Sequence, residues 1–345
     1  MISKRIEYID ALRGFTMLLV VFAHIEAYSF FGMQHTTIVG SVFQLFRMPL
    51  FFFISGYIAY KDTVLNKEWL IKKLRVQLIP ATIFGLLYCH FHFSGFIADT
   101  SKAGYWFTYV LLEMFLIYYL LSYVAYKIKG ASSKIFCMSA IVFAVILYVL
   151  RLPFKNIPLL NEIGCIISAH YLFTYFHFFV CGLLASKYKC FFEKILDNKY
   201  IIGVAIIVFV FGSYIEYYII SPKLEFWCYN SYKILYEIIE TVCAYMGIFI
   251  LYGFFRKNQD VFNCSTQLGK NMQFVGRRTL DIYLLHYFLL PFLPMVGDFL
   301  INYPNAVLEL FVGMILSLCV VGVCLIISNI IRTSSFLSYW LLGSK

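Results

Sequence analysis

Charge is what this chain is short of. Asp, Glu, Lys and Arg together make up 13% of its 345 residues, against 62% hydrophobic residues and a mean hydropathy of +0.81. A soluble domain carries about a quarter charged residues. The deficit excludes that class and points to a polytopic membrane protein. Cysteine occurs ten times, but never as a Cys-x-x-Cys pair or in a ligand-like cluster. That spacing argues against zinc ribbons, disulfide frameworks and thioredoxin-type motifs. Cys137, Cys165, Cys181, Cys243, Cys319 and Cys324 instead fall in apolar stretches, where they read as small apolar side chains. No small-residue cleavage site follows the first apolar run, so that run reads as a retained helix rather than a secretory signal. Long connections and internal repeats are missing too. The chain therefore reads as a single membrane-embedded domain over 1–345, without the repeat symmetry common in transporters.

What it has in quantity is apolar length. Ten stretches are long enough to cross a bilayer, near 14–31, 38–60, 76–93, 105–126, 135–152, 163–185, 201–220, 234–254, 279–300 and 306–330. The fold class expected is all-α and polytopic, with about ten transmembrane helices. The net charge of +10 is a topology signal rather than a nucleic-acid footprint. With an even number of spans, one side of the membrane receives 22 of the 28 Lys and Arg, among them Lys4, Lys61, Lys67 and Lys257. The other side receives five (Lys102, Arg151, Lys155, Lys223 and Lys233), and Arg47 lies within the second span. The positive-inside rule then places both termini in the cytoplasm.

Ionisable groups inside a membrane are costly and usually face a bundle interior or a watery cavity. The first helix, IDALRGFTMLLVVFAHI, carries Arg13 and His24. Eleven residues bring them within about 20° of one face and about 16 Å apart along the axis, a surface position and a midplane position. Asp10 shares that face and Glu26 does not. Either reading fits the spacing: a positive-inside anchor with a structural histidine, or a pair of functional groups. In the second stretch, Pro49 is a kink site and Ser55-Gly56 permits close helix approach. Arg47 there calls for a carboxylate partner or an acidic substrate. Lys72, Lys73 and Arg75 form a basic cluster suited to lipid headgroups or to a phosphorylated donor. Trp106 and Glu113 share a helix face, as do His170 and His177, which are too far apart to chelate one metal comfortably; no metal is expected. Trp106 is most simply a belt residue at the membrane surface. Near the C-terminus, Arg278 and Asp281 make an i,i+3 pair, and His286 lies about 12 Å further in, at a depth approaching that of His24.

Four pieces in this order, IDALRG…AH, MPLFFFISGY, KKLRVQLIP and YWF, with a weaker TLDIYLLH near residue 286, make the chain similar to the acyltransferase family 3 integral-membrane O-acyltransferases. The resemblance implies about ten catalytic-domain helices. It also implies transfer of an acyl group, commonly acetyl, from cytoplasmic acyl-CoA to a sugar hydroxyl. It makes Arg13 and His24 the essential pair of the first helix. The family's Arg-x-x-Arg element is met here by Lys72-x-x-Arg75, where lysine keeps the charge but loses the bidentate fork. The chain stops soon after its tenth stretch, as in relatives without an appended hydrolase-like domain.

A sugar hydroxyl is a poor nucleophile, and neutral imidazole is the usual base near pH 7. His24 is the expected general base, with a covalent acyl-histidine as the formal alternative. Arg13, Arg75, Lys72 and Lys73 are expected at the donor phosphates. Asp10, Arg47, Glu113, His177 and His286 are expected in supporting or acceptor-contact roles. Acyl-CoA enters as donor substrate, with no bound cofactor. The acceptor expected is a cell-surface glycan or its lipid-linked precursor, at a bacterial inner membrane. A glycan or lipid exporter and a non-catalytic membrane sensor remain the rival readings.

Overall fold

The computed structural model describes residues 5–30, 37–63, 65–129, 133–220 and 230–344. Lys4 and Lys223, which enter the charge distribution above, lie outside them. The described residues are predominantly helical, with no strand among them. In lipid every backbone N–H and C=O must be satisfied within its own segment, and a helix does this locally.

In chain order the helices are α1 (Glu7–His24), α2 (Ile38–Ala59), α3 (Lys67–Lys73), α4 (Ile79–Tyr88), α5 (Phe93–Ala98) and α6 (Trp106–Lys129). Then follow α7 (Ser133–Asn156), α8 (Pro158–Ile166), α9 (Ala169–Lys187), α10 (Lys189–Asp197) and α11 (Lys199–Ile215). The last are α12 (Asn230–Lys257), α13 (Gln267–Arg277), α14 (Thr279–Leu285), α15 (Pro294–Asn302), α16 (Ala306–Ile331) and α17 (Ser335–Leu341). Three π-helical turns interrupt the α geometry, at Ile25–Ser29, Leu74–Leu78 and Glu216–Ile220. Polar side chains start several helices as N-caps. Asn66 accepts from the Trp69 N–H at 3.0 Å, Asn198 from Tyr200 at 2.9 Å and Thr266 from Gly269 at 2.9 Å.

Eight of the ten expected stretches each hold one helix long and apolar enough to span, although the sixth, expected over 163–185, starts only at Ala169, after Ser168 in a left-handed conformation breaks it from α8. The other two are composite. The third is a continuous helical run from Lys67 to Tyr88 through the π turn at Leu74–Leu78. The ninth, expected as one span over 279–300, is broken: α14 passes into a 3-10 turn at His286–Phe288, then non-helical backbone, then α15. Pro291 and Pro294 supply the reason, since neither can donate to the helical ladder.

The chain packs as two compact units, Met1–Phe51 with Cys190–Ile326, and Phe52–Lys189 with Ile327–Lys345. In the first unit α1 is the central helix. Its apolar window is 72% buried, against 17% for the span at Lys199–Ile219. Amphipathic α13 lies along it at backbone contact. A methyl group added at Gly14 would overlap the Met272 carbonyl, and one at Gly276 the Asp10 carbonyl. Only glycine permits this approach. Phe22 of α1 packs on Gly313 of α16, and the Tyr8 and Tyr252 hydroxyls meet at 3.1 Å. At the broken span, the Leu293 N–H donates to the Ser29 carbonyl at 2.9 Å, tying the break to the end of the first π turn.

In the second unit α2 and α9 cross through Gly56 and Gly182, each against the other helix's carbonyl (Phe179 and Phe53). This is the close approach expected at Ser55-Gly56. The loop before α6 is held by a buried lysine. Lys102 Nζ donates to the carbonyls of Ile97 (2.6 Å), Asp99 (2.8 Å) and Cys165 (2.8 Å), using all three ammonium donors. Burial pushes this ammonium down from its usual range, and the neighbouring Asp99 pulls the other way. Burial also raises the Asp99 carboxyl. Hydrogen bonds from the Ser101 hydroxyl and from the Ala103 and Ser101 N–H groups outweigh that and hold it below the usual carboxylate range. Lys102→Met leaves three buried carbonyls without their donor. It should destabilise the protein by about 1–3 kcal/mol and expose 97–105 to protease, as read by thermal unfolding and limited proteolysis in nanodiscs.

Candidate functional site

The first unit gathers five of the residues singled out from sequence. Arg13 makes an ion pair with Asp10 on its own helix, Nη1 to Oδ1 at 3.7 Å, and its Nη2 donates to Thr279 Oγ1 at 2.8 Å. Eleven residues further along α1, His24 Nε2 lies 3.2 Å from the Tyr287 hydroxyl. Both partners belong to the broken span, and their order along it matches the order along α1, so the two segments run parallel. Arg13–Thr279 and His24–Tyr287 are two rungs between them. The expected i,i+3 pair is also present, Arg278 Nη1 to Asp281 Oδ2 at 3.2 Å.

His286 stands beside His24 with ring centroids 5.0 Å apart, and Tyr287 lies 4.8 Å from His24 and 4.2 Å from His286. The break places these neighbours. After Leu285 the backbone tightens to a 3-10 turn, which carries His286 and Tyr287 together onto the imidazole of α1. His286 is wholly buried, and its Nδ1 lies 3.1 Å from the Ile282 carbonyl. A carbonyl only accepts, so Nδ1 bears the proton and Nε2 of neutral His286 is an acceptor. That Nε2 and His24 Nδ1 are both buried without a hydrogen-bond partner among the described residues. Two imidazole nitrogens at one spot therefore have unused capacity, an arrangement able to receive a hydroxyl group. Tyr28 closes another side, stacked on His24 at 5.8 Å.

Glu26 leaves the Arg13–His24 face, as its spacing requires. It sits on the π turn after His24, fully buried; its Oε1 accepts from the Thr37 hydroxyl at 3.4 Å, and Glu309 of α16 is an electrostatic neighbour. Arg47 of α2 is buried and close enough to act electrostatically on both Glu26 and His24.

The second unit holds the remaining candidates. Lys72 is exposed at the end of α3. Lys73 Nζ sits over the Phe115 ring at 4.3 Å, and the Arg75 guanidinium lies 4.2 Å from the Tyr339 ring centre of α17. Aromatic faces take two of the three cations. Glu113 is half-buried, with Oε2 unpartnered and Lys102 as its electrostatic neighbour. His177 packs edge-on against Tyr148 at 5.1 Å. Trp106 stacks on Tyr171 at 4.0 Å and 19°. His170 helps line a cavity of about 30 Å³ with Arg151, Asn161 and Thr100, room for about two waters.

Sequence reading missed Tyr287, Thr279, Glu309 and Tyr339. Tyr287 carried one usable signal, its place next to His286 in a proline-terminated run. Tyr339 is one of 28 tyrosines and had none.

A family model for an acyltransferase domain matches residues 6–327, nearly the whole chain. No curated protein and no solved structure matches.

Proposed function

The chain belongs to the acyltransferase 3 family, and from that premise we propose that it moves an acyl group, acetyl first among candidates, from acyl-CoA to a hydroxyl of a cell-surface glycan or its lipid-linked precursor. The observation that carries the reading is the His24 imidazole: half-buried, held at Nε2 by Tyr287, and open at a buried Nδ1 beside a second open imidazole nitrogen on His286.

In this reading His24 donates its Nε2–H to the Tyr287 oxygen, which leaves the Nδ1 lone pair free. Nδ1 takes the acceptor hydroxyl's proton as that oxygen forms its bond to the thioester carbonyl carbon. The tetrahedral intermediate then collapses with cleavage of the carbon–sulfur bond. The imidazolium returns its proton to the departing thiolate, giving the ester and free CoA with no net proton change. His286 Nε2, an acceptor beside His24, takes a hydrogen bond from a neighbouring hydroxyl of the same acceptor and so orients it. A covalent acyl group on His24 Nδ1 is the two-step variant of the same chemistry. Arg13, fixed by Asp10 and Thr279, and separately Lys72 and Arg75, offer the positive charge that donor phosphates require. Lys73, Arg47, Glu113 and His177 are assigned supporting roles. The setting proposed is a bacterial inner membrane, with both termini cytoplasmic.

Mass spectrometry of surface glycans from a deletion strain, with and without the gene restored, tests this. An acyl mass increment that disappears on deletion and returns on complementation supports the reading, and its mass names the acyl group. An unchanged glycan profile overturns it. The break in the ninth span is a feature that transporters also use, so glycan flux without any acyl-CoA requirement would favour that rival.

A further inference from the structure

Three arginines meet at one end of α1, and the chemistry above uses only one of them. α13 runs along α1 toward its N-terminal end, since Met272 lies on Gly14 and Gly276 on the Asp10 carbonyl. α14 then runs back, with Thr279 on Arg13 and the turn beyond it carrying Tyr287 onto His24. The reversal between the two is Arg277–Arg278, where α13 ends and Arg278 leaves helical geometry. Both residues are therefore set at the mouth of α1, beside Arg13. Arg13 and Arg278 each keep a carboxylate, Asp10 at 3.7 Å and Asp281 at 3.2 Å, whereas Arg277 is exposed. Lys270 and Phe274 precede Arg277 by two helical turns and by one, so the three share an exposed face of α13. The Arg278 guanidinium lies 5.6 Å from the centre of the Phe274 ring. α1 itself opens with Arg5 and Glu7, and Glu7 Oε2 accepts from the Cys264 N–H at 2.8 Å. These five cations outnumber the three carboxylates among them.

We propose that this turn holds the nucleotide end of the acyl donor: the pyrophosphate at Arg13 and Arg278, the ribose 3′-phosphate at Arg277 and Lys270, and the adenine against the Phe274 ring. The proposal rests on the acyltransferase reading and names where its donor sits. Spacing supports it. Arg13 is about 16 Å from His24 along the axis of α1. The arm of CoA between its sulfur and its first phosphate is about thirteen bonds long, which covers about 16 Å when extended. A phosphate bound at Arg13 therefore leaves the thioester carbonyl within reach of His24. The adenosine, attached beyond the phosphates, is offered a ring and two exposed cations on α13. Guanidinium forks match phosphate oxygens, and an aromatic face takes a base by stacking. The headgroup of an anionic lipid carries the same phosphate chemistry. The ring beside the cations and the distance to His24 favour the nucleotide.

The test is nucleotide binding to the full-length protein in phosphatidylcholine nanodiscs, read by isothermal titration calorimetry with CoA and with 3′-dephospho-CoA. Wild type should bind CoA more tightly than 3′-dephospho-CoA by about tenfold or more, the range for charge-assisted hydrogen bonds to one phosphate. Arg277→Gln should remove most of that preference and leave the affinity for 3′-dephospho-CoA unchanged. Arg277→Lys should keep most of it. Phe274→Leu should weaken both nucleotides alike, because it removes only the stacking surface. A wild type without the preference, or an Arg277→Gln protein that keeps it in full, overturns the proposal. Should Arg277→Gln fail to fold, Lys270→Gln decides by the same comparison. Mixed nanodiscs with phosphatidylglycerol separate the two sources of phosphate. If Arg277→Gln strips bound phosphatidylglycerol, as read by native mass spectrometry, while both nucleotide affinities stay at wild-type values, these cations serve lipid headgroups and the proposal is overturned. If wild type binds neither nucleotide, the acyl-CoA donor falls as well; if it binds CoA and the variants bind it equally, only the placement at this turn falls.

Discussion

Replacing His24 with alanine should lower acyl transfer about 10²- to 10⁴-fold, the range for loss of a positioned general base. The loss should fall on kcat, with the KM for acyl-CoA nearly unchanged, because the imidazole acts at the reacting bond. His24 is held on several sides, by Tyr287 at Nε2 and by the rings of Tyr28 and His286. Truncation therefore leaves a small void rather than a collapsed helix, and the protein should still fold. Steady-state kinetics in nanodiscs at matched protein concentration make the measurement. A His24→Ala enzyme within threefold of wild type would remove His24 as the base and turn attention to His286. The same variant in cells should leave the surface glycan without the acyl increment that the wild type adds.

Gly276→Val should be the most destabilising single substitution in the first unit. Its Cβ would overlap the Asp10 carbonyl and press on the Gly14 N–H, both of them backbone and unable to rotate away. Overpacking of this kind costs about 1–3 kcal/mol in a well-packed interior, and more when the obstacle is backbone. Relief requires α13 to move off α1, and Asp10, the partner of Arg13, lies in the strip that would separate. Lower thermal stability should accordingly come with weaker acyl-CoA binding. Gly203→Ala is the matched control. Nothing lies within 4 Å of its added methyl, and alanine in a helix interior is favoured over glycine by about 0.5–1 kcal/mol. Equal effects from the two substitutions would mean that α1 and α13 are not in backbone contact.

Most of the helical framework could be read in advance because lipid leaves so few alternatives. An apolar run of some twenty residues without an internal helix satisfies nothing, so stretches such as 38–60 and 306–330 became α2 and α16 nearly end to end. Local pairings were legible for a similar reason. Arg278–Asp281 and Asp10–Arg13 follow from helical pitch, and the crossing at Gly56 follows from a missing side chain. What stayed hidden depended on contacts between distant segments. Glu309 is 283 positions from Glu26, and nothing in either neighbourhood announces the other. The depth relation between His24 and His286 was readable, but their contact with Tyr287 depends on where the ninth span stops being helical. Lys72, Lys73 and Arg75 looked like one basic patch, because nothing in KKLRVQL announces that Phe115 and Tyr339 supply ring faces to two of the three.

The turn at Ile25–Ser29 has a bearing on how the length of this chain can vary. A π turn closes through five residues where an α turn closes through four, so it acts as a one-residue insertion stored within a helix. Deleting a single residue between Ala27 and Ser29 would let the helix relax to regular geometry. The helix after it would keep close to its present direction and register, because the wide turn had absorbed the extra residue. Ser29 and Phe30, which receive the chain at Leu293 and Gly297, would stay docked on the broken span. Homologous chains should therefore be able to lose one residue between the histidine of the first helix and this docking point, provided that the π turn is lost with it.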